Sequence, residues 1–447
     1  MRRVLVANRG EIAVRIIRAA HAAGLETVAV YSDADEHGRW VQLADTAVHI
    51  GKSAAAKSYL NSAALVEAAR STGADAVHPG YGFLSERAGA AKEFADAGLT
   101  FVGPAVSTIE TMGDKAAARE AARRAGVPVV PGSGPVGDVD EALAAADDVG
   151  YPVLLKAAAG GGGRGIRPVA SAAELAEALP AAQAEARAAF SDDTVYLEWA
   201  IDGARHIEVQ ILADTAGTVV HTFERDCSVQ RRRQKLIEEA PAPGLPARTR
   251  ADINDAAVRL ARQVGYLGAG TVEFLLTPSG EFFFIEMNTR IQVEHPISEA
   301  ITGVDLVSEQ LRIAAGEPIS FGQDDVGIRG AAVELRINAE DPDNRFQPTP
   351  GTLTRLDLPG GPGVRVDTGF VAGDRISPFY DSMIAKLICS GPDRDTALAR
   401  ARQALAELRV EGVPTTVSVH RRLLDEPDVR AGAVHTRWLE ELMPETL

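Results

Sequence analysis

The sequence predicts an α/β protein of several domains, and three observations carry that reading. At 447 residues the chain exceeds the usual size of one domain. Residues 2–31 follow the strand, helix, strand order of a Rossmann-like opening. Farther along, stretches of period-two polarity are separated by turn residues, as antiparallel strands are.

Taken in order, residues 2–7 read as a strand, 11–23 as a helix with Gly24 at its C-cap, and 26–31 as the next strand. The turn Ala7-Asn-Arg-Gly-Glu11 lacks the three spaced glycines of a dinucleotide fingerprint, which counts against a dehydrogenase. Strand and helix patterns continue to about residue 113. Among them, Ala76-Val-His-Pro-Gly-Tyr81-Gly-Phe-Leu-Ser-Glu86 puts a turn directly after a strand, where open α/β sheets bind ligands. Lys115 opens a helix that ends near Gly126. A compact α/β segment follows at about 131–203, and the segment from about 204 to 316 carries an acidic hairpin. Residues 322–329 read as a linker. A third region begins at 333–339 and ends in helices, of which 396–407 is the clearest. The expected domains are 1–113, then 114–320 with a lid at about 131–203, then 330–447.

Composition narrows the function. The net charge of −16 argues against a protein that coats nucleic acid or an anionic membrane. Two cysteines, Cys227 and Cys389, supply no disulfide framework, so a reduced cytoplasmic setting fits. The apolar run after Arg2-Arg3 is too short for a signal peptide, and no segment approaches a membrane span. Only 7 lysines stand against 39 arginines, and three of them, Lys115, Lys156 and Lys235, fall in segments that read as functional.

In residues 285–294, Glu286, Asn288, Arg290, Gln292 and Glu294 alternate with Ile285, Met287, Thr289, Ile291 and Val293. On a strand they share one face. A straight strand would set Glu286 and Glu294 roughly 26 Å apart. A bend near 289–290 is therefore expected, with Pro296 ending the segment and keeping His295 extended. The preceding strand 270–276 runs into the turn Thr277-Pro-Ser-Gly280. A two-residue loop at Ser279-Gly280 sets Glu273 opposite Glu286, and a three-residue loop would shift that register. Carboxylates so placed repel unless a cation or proton sits between them. Oxygen ligands from Glu273, Glu286 and Asn288 suit Mg2+; a solvated acidic face or one protonated Glu is the plainer alternative.

Other segments add to this. The strand 151–156 ends in Lys156 and runs into Gly160-Gly161-Gly162-Gly163-Arg164-Gly165. Such a run lets backbone N–H groups approach phosphate oxygens, or closes as a lid, or is simply a flexible surface loop; it is not a P-loop pattern. Residues 195–201 read as a hinge whose backbone meets an adenine edge, with Glu198 accepting from a ribose or amine; a plain joining strand fits equally well. In 205–212, His206, Glu208 and Gln210 share a polar face while Ile207, Val209 and Ile211 face the core. The charged run 224–239 bears Gln230 and Lys235 and reads as anion-binding, with Cys227 a packing residue. In 333–338, Glu334, Arg336 and Asn338 share a face, and Asp381 is the expected resting partner of Arg336.

Together these segments resemble biotin carboxylases of the ATP-grasp superfamily. The match runs over nearly the whole chain, from Ala7-Asn-Arg-Gly-Glu-Ile to Asp381-Ser-Met-Ile. His78-Pro-Gly-Tyr-Gly-Phe-Leu-Ser-Glu, the glycine run, and Glu286-Met-Asn-Thr-Arg-Ile-Gln-Val-Glu-His-Pro296 carry it. The resemblance implies an ATP-grasp fold with an N-terminal Rossmann-like domain, a mobile lid and a C-terminal α+β domain. It implies that Lys115, Lys156, Gly161, Gly162, Gly163, Arg164 and Gly165 hold ATP phosphates. Glu198, Ile201, His206, Gln230 and Arg233 would lie on the nucleoside side. Glu273, Glu286 and Asn288 would bind Mg2+, with Mn2+ able to replace it. Lys235, Arg290, Gln292 and the Val293 backbone would hold bicarbonate, Glu294 would take its proton, Arg336 would stabilise the enolate of biotin, and Tyr81 would touch the biotin ring.

The implied activity is carboxylation of biotin through carboxyphosphate, as the first half-reaction of an acetyl-CoA or propionyl-CoA carboxylase. The implied partners are a biotin carboxyl carrier protein, carboxyltransferase subunits and a second copy of the chain. No Met-Lys-Met biotinylation motif occurs, and the last lysine, Lys386, sits in Ile-Ala-Lys-Leu, so biotin is expected on a separate carrier. Arg233 stands where relatives carry His, and Ala22 and Pro362 depart from residues used in a bacterial dimer contact. The alternatives are another ATP-grasp ligase that works through an acyl phosphate, a pyruvate carboxylase-type subunit, or a regulatory subunit without catalysis.

Overall fold

The computed structural model of the chain describes residues 1–159, 165–190 and 192–444 and has the expected mixed α/β architecture. At the N-terminus a five-stranded parallel sheet runs in the order Thr46–Gly51, Glu26–Ser32, Arg3–Val6, Ala76–His78, Thr100–Phe101. Val4, Leu5 and Val6 are fully buried, as a strand covered on both faces requires. The first helix spans Gly10–Ala22, one residue earlier at each end than its periodicity predicts. Strand order reverses between Arg3–Val6 and Ala76–His78, and the loops leaving these two strands border the switch-point crevice. Asn8 closes that crevice by donating to the carbonyls of Pro79 and Tyr81, each at 2.7 Å.

The central sheet has eight strands in the order Phe282–Asn288, Gly268–Leu276, Arg205–Ala213, Val219–Arg231, Gln234–Ala240, Ala331–Asn338, Met383–Gly391, Val364–Thr368. All its pairings are antiparallel. Because Gln234–Ala240 pairs with Ala331–Asn338, the sheet crosses the stretch expected as a linker without a break. Ile207, Val209 and Ile211 pack with Val272, Phe274 and the helix Ala247–Gln263, so the expected core face is the core face. A second core, built from Leu335, Ile337, Leu387, Leu398 and Leu405, holds the C-terminal strands to the helix Arg394–Glu407.

A separate four-stranded antiparallel sheet takes the order Gly132–Val136, Val195–Trp199, Val153–Ala157, Ile166–Val169. The helices Val139–Val149 and Ala172–Phe190 pack on it around Leu155, Leu175 and Leu197. Gly161, Gly162, Gly163 and Arg164 lie outside the described residues.

Candidate active site

The hairpin Gly268–Leu276 and Phe282–Asn288 sets Glu273 directly opposite Glu286, by a different route from the one expected. The turn holds three residues, Pro278-Ser279-Gly280, closed by the Thr277 N–H donating to the Glu281 carbonyl at 2.8 Å. Gly280 takes φ +90°, which favours glycine. This loop alone would slip the register by one residue, and a bulge between Glu273 and Phe274 restores it. The row continues sideways: Glu273 also lies opposite Glu208, and Glu208 opposite Arg225. Opposed residues point to the same face. The floor of the site is therefore a row across four strands, Glu286, Glu273, Glu208 and Arg225, rather than a line along one.

The segment after Asn288 bends as expected, but His295 and Pro296 open the helix His295–Thr302 instead of staying extended. Proline is well placed there, because the first turn of a helix has no use for its missing N–H. Glu294 is the N-cap, yet its side chain caps nothing. It turns inward, where Lys235 Nζ donates to Oε1 at 2.7 Å and Arg336 Nη2 to Oε2 at 2.9 Å.

Buried cations and carboxylates alternate around this point. Lys235 Nζ also reaches Glu208 at 2.6 Å and Glu273 at 3.1 Å. Glu273 further accepts from Asn288 at 2.9 Å and Gln292 at 3.1 Å, and lies 3.0 Å from His206 Nε2. Arg290 spans Glu86 at 2.8 Å, Gln292 at 2.9 Å and Asn288 at 3.0 Å. Fully buried Arg225 binds Glu208 at 2.6 Å and Gln210 and Ser298 at 2.9 Å each. Arg336 rests against Glu238 at 2.6 Å and against Glu294. Asp381, its expected partner, instead accepts from the Met383 N–H at 3.0 Å, because the strand pairing brings Glu238 closer. The Asn338 amide donates to Glu340 at 3.2 Å rather than joining the site.

These partners set the protonation states. Burial alone would raise the Glu294 carboxyl, but Lys235, Arg336 and Arg225 hold it well below the usual range. Burial would lower the Lys235 ammonium, but Glu208, Glu273 and Glu294 keep it well above its usual value. Burial pushes Glu238 up to about 7, against the pull of Arg336. The close cleft walls, then the charges on Glu273 and Glu86, raise the Glu286 carboxyl, although its side chain is open to the cleft. Glu273, Glu286 and the Asn288 amide oxygen form a hard-oxygen donor set of the kind Mg2+ takes, and the crowded Glu286 carboxylate would gain from a cation.

Toward the lid, Lys115 lies in the field of Lys156, Glu286, Glu198 and Arg233, which brings these residues to one end of the cleft. Lys156 pairs with Glu198, which also binds Arg119. The Gly165 carbonyl accepts from the Ala157 N–H at 2.8 Å. Ile201 is half-buried beyond the strand Val195–Trp199. Gln230 pairs with Lys235 in the hairpin whose two-residue turn is Arg232-Arg233. Both turn residues are left-handed, at φ +47° and +66°. Tyr81 donates to Glu11 at the switch-point crevice. Cys227 is buried, and its Sγ lies 3.9 Å from Glu294 Oε1; burial, then Glu208, raises its thiol far above the reactive range.

Sequence reasoning gave Arg225, Glu238 and Glu11 no role, and weighed Lys386 only as a biotin-attachment lysine. A charged residue inside an apolar strand was the available signal for Lys386, in Ile384-Ala-Lys-Leu-Ile.

Three family models match the chain: the biotin carboxylase N-terminal domain at 1–109, the ATP-binding domain of the carbamoyl-phosphate synthase L chain at 114–321, and the biotin carboxylase C-terminal domain at 334–441. A biotin carboxylase of Nostoc is 53% identical over 441 residues, covering 98% of this chain and 99% of that one. A biotin carboxylase of Campylobacter jejuni, solved as an ATP complex, superposes with a TM-score of 0.95 at 42% identity, covering 98% of each chain. The biotin carboxylase domain dimer of a Hydrogenobacter thermophilus 2-oxoglutarate carboxylase, solved with MgADP, ADP and bicarbonate, gives a TM-score of 0.93 at 47% identity, over 100% of this chain and 98% of that one.

Proposed function

The chain belongs to the biotin carboxylase family, and we infer from that premise that it is an ATP-dependent ligase that carboxylates biotin with bicarbonate, by way of carboxyphosphate. One observation carries the reading: Lys235 and Arg336 converge on the two oxygens of Glu294, at 2.7 and 2.9 Å. A base that must meet two anionic substrates needs cations that serve the base at rest and the substrates in turn.

Bicarbonate is a poor carboxylating agent, so its oxygen must first be phosphorylated. Lys115 and Lys156 draw the ATP phosphates to the lid end, with Glu198, Ile201, His206, Gln230 and Arg233 toward the nucleoside. Glu273, Glu286 and Asn288 would hold Mg2+, which when bound neutralises charge on the phosphate oxygens. Lys235, Arg290, Gln292 and the Val293 N–H hold bicarbonate beside the γ-phosphate. As Lys235 turns to that anion, Glu294 loses part of the charge that keeps its pKa low and becomes able to accept the bicarbonate proton. Carboxyphosphate then breaks to CO2 and phosphate. The phosphate takes the ureido N–H proton of biotin, and the nitrogen attacks CO2. Arg336, which stays charged throughout, binds the ureido oxygen as it becomes an enolate, with Tyr81 against the ring.

Biotin reaches the site on a separate carrier protein, and the product passes to a carboxyltransferase of the acetyl-CoA or propionyl-CoA type. Similarity over 99% of the length of the Nostoc biotin carboxylase supports a carrier in trans. An oxo-acid acceptor, as in a pyruvate carboxylase-type enzyme, is the second reading, favoured by the similarity to the 2-oxoglutarate carboxylase domain. That domain was solved as a dimer, which supports a homodimer here. Among the described residues no helix is long and apolar enough to cross a membrane, and both cysteines are buried and free, which supports a cytoplasmic setting.

The test is phosphate release from MgATP by the purified chain, with and without bicarbonate and with and without free biotin. Release that requires bicarbonate and rises with biotin is expected. Release indifferent to both would remove the reading in favour of another ligase.

A further inference from the structure

The peptide that would hold bicarbonate is itself gripped from behind. The Gln292 carbonyl lies 2.7 Å from His295 Nδ1, and the next carbonyl, of Val293, accepts from Lys386 Nζ at 2.8 Å. His295 and Lys386 are both fully buried. Burial and the charges of Lys386, Arg15 and Arg365 keep the His295 ring neutral, so facing a carbonyl its Nδ1 carries the proton. Burial works against the Lys386 ammonium too, but Glu11, Glu334 and Asp367 outweigh it and keep the ammonium charged. Its nearest carboxylate is Glu11, at 3.1 Å. Glu11 also accepts from Tyr81, so the same anchor reaches the expected biotin wall.

In a planar trans peptide the carbonyl and the following N–H point in opposite directions. Anchoring the Gln292 carbonyl turns the Val293 N–H away from His295. Anchoring the Val293 carbonyl turns the Glu294 N–H away from Lys386. Among the described residues neither N–H finds a backbone acceptor. The side chains that flank these peptides, Gln292 and Glu294, both enter the site, at 2.9 Å from Arg290 and 2.7 Å from Lys235.

We propose that His295 and Lys386 are positioning residues that aim the consecutive N–H groups of Val293 and Glu294 at the oxygens of bicarbonate. The inference rests on the carboxylase reading and deepens it, by naming what fixes the anion seat. Neither side chain touches substrate; both act through the peptide.

The experiment uses the full chain with MgATP, bicarbonate and free biotin, and compares four proteins: wild type, His295→Leu, His295→Asn, and Lys386→Met combined with Glu11→Gln. The asparagine amide stands in for Nδ1, and the double variant removes a buried ion pair as a pair. Loss of one anchoring hydrogen bond is expected to raise KM for bicarbonate about tenfold in His295→Leu, leaving KM for MgATP within about twofold. His295→Asn should recover most of the loss. A histidine kept for packing alone would give the reverse order, with leucine tolerated and asparagine not, and that result overturns the proposal. So does an equal rise in both KM values. If the double variant does not fold, as melting curves would show, the leucine and asparagine pair still decides. A wild type whose phosphate release ignores bicarbonate removes the carboxylase reading and this inference with it; a bicarbonate-dependent wild type with unmoved variants removes this inference alone.

Discussion

Lys235 and Lys115 sit at the two ends of one cleft, and their ammonium groups shift in opposite directions. Burial lowers both. Around Lys235 the carboxylates of Glu208, Glu273 and Glu294 reverse that effect and carry it well above its usual value. Around Lys115 the next largest influence is another cation, Lys156; Glu286 and Glu198 pull the other way without offsetting burial, Lys156 and Arg233, and its value stays below the usual one. The biotin end is thus saturated with its own counter-charges. At the nucleotide end Lys156 and Arg119 share Glu198 while Lys115 stands in the field of Lys156 and Arg233, so these cations are only partly offset and gain when an anion arrives. A polyanion such as ATP is drawn from solvent by surplus charge. A small reacting anion is better served by cations already fixed in place, because they need no reorganisation at the moment of reaction.

The largest predicted effect breaks the saturated end alone. Glu294→Gln removes the base, and biotin-dependent turnover should fall about a thousandfold while MgATP binding, read by calorimetry, is unchanged. Lost nucleotide binding would contradict the division of labour between the two ends. Arg336→Ala should cut biotin carboxylation about a hundredfold and bicarbonate-dependent ATPase far less. Equal losses in the two assays would sink the enolate role.

The contrast between the ends was only partly legible in the sequence. The βαβ opening was readable because its apolar periods are local; the alternation of 286–294 marked residues whose side chains meet but not their backbone, since the strand ends at Asn288 and the rest follows a loop. Of the row Arg225, Glu208, Glu273, Glu286 only the Glu273–Glu286 pair was read, and through a loop of the wrong length, since the row's register depends on bulges between Val209 and Ile211 and between Glu273 and Phe274. Each bulge adds a residue that no local pattern marks. The pairing of Arg336 with Glu238 joins residues 98 apart in the chain, on strands whose adjacency only the folded sheet defines. Asp381 was preferred for its nearness in sequence, and sequence distance was the wrong measure.

A smaller effect appears in acid. His420 lies behind Arg336, its Nε2 2.7 Å from the Arg336 carbonyl, and burial lowers its pKa to about 4. The unfolded chain, with a histidine near the usual value of about 6.5, binds the proton more readily between those limits. Stability from this neutral ring is therefore complete above that window and is lost as pH falls through it, by up to about 3 kcal/mol. Denaturant midpoints measured at neutral pH and at pH about 5 should show the loss, and His420→Gln should lessen it. A midpoint with the same acid dependence in that variant would assign the loss elsewhere.

The smallest effect sharpens the nucleotide end. Arg231 pairs with Gln234 around the two-residue loop Arg232-Arg233, whose φ angles are +47° and +66°. Such tight hairpin loops favour Asn-Gly, and each L-residue held in that region costs about 1 kcal/mol. Replacing the pair by Asn-Gly should raise stability by about 1–2 kcal/mol in denaturant titration. The same change removes a cation from the field of Lys115, so affinity for MgATP should fall several-fold while KM for bicarbonate holds. Arg233 would then be kept in its left-handed turn for the charge it brings to the nucleotide. A protein that gains stability with unchanged nucleotide affinity would show that Arg233 does not contribute to the electropositive end of the cleft.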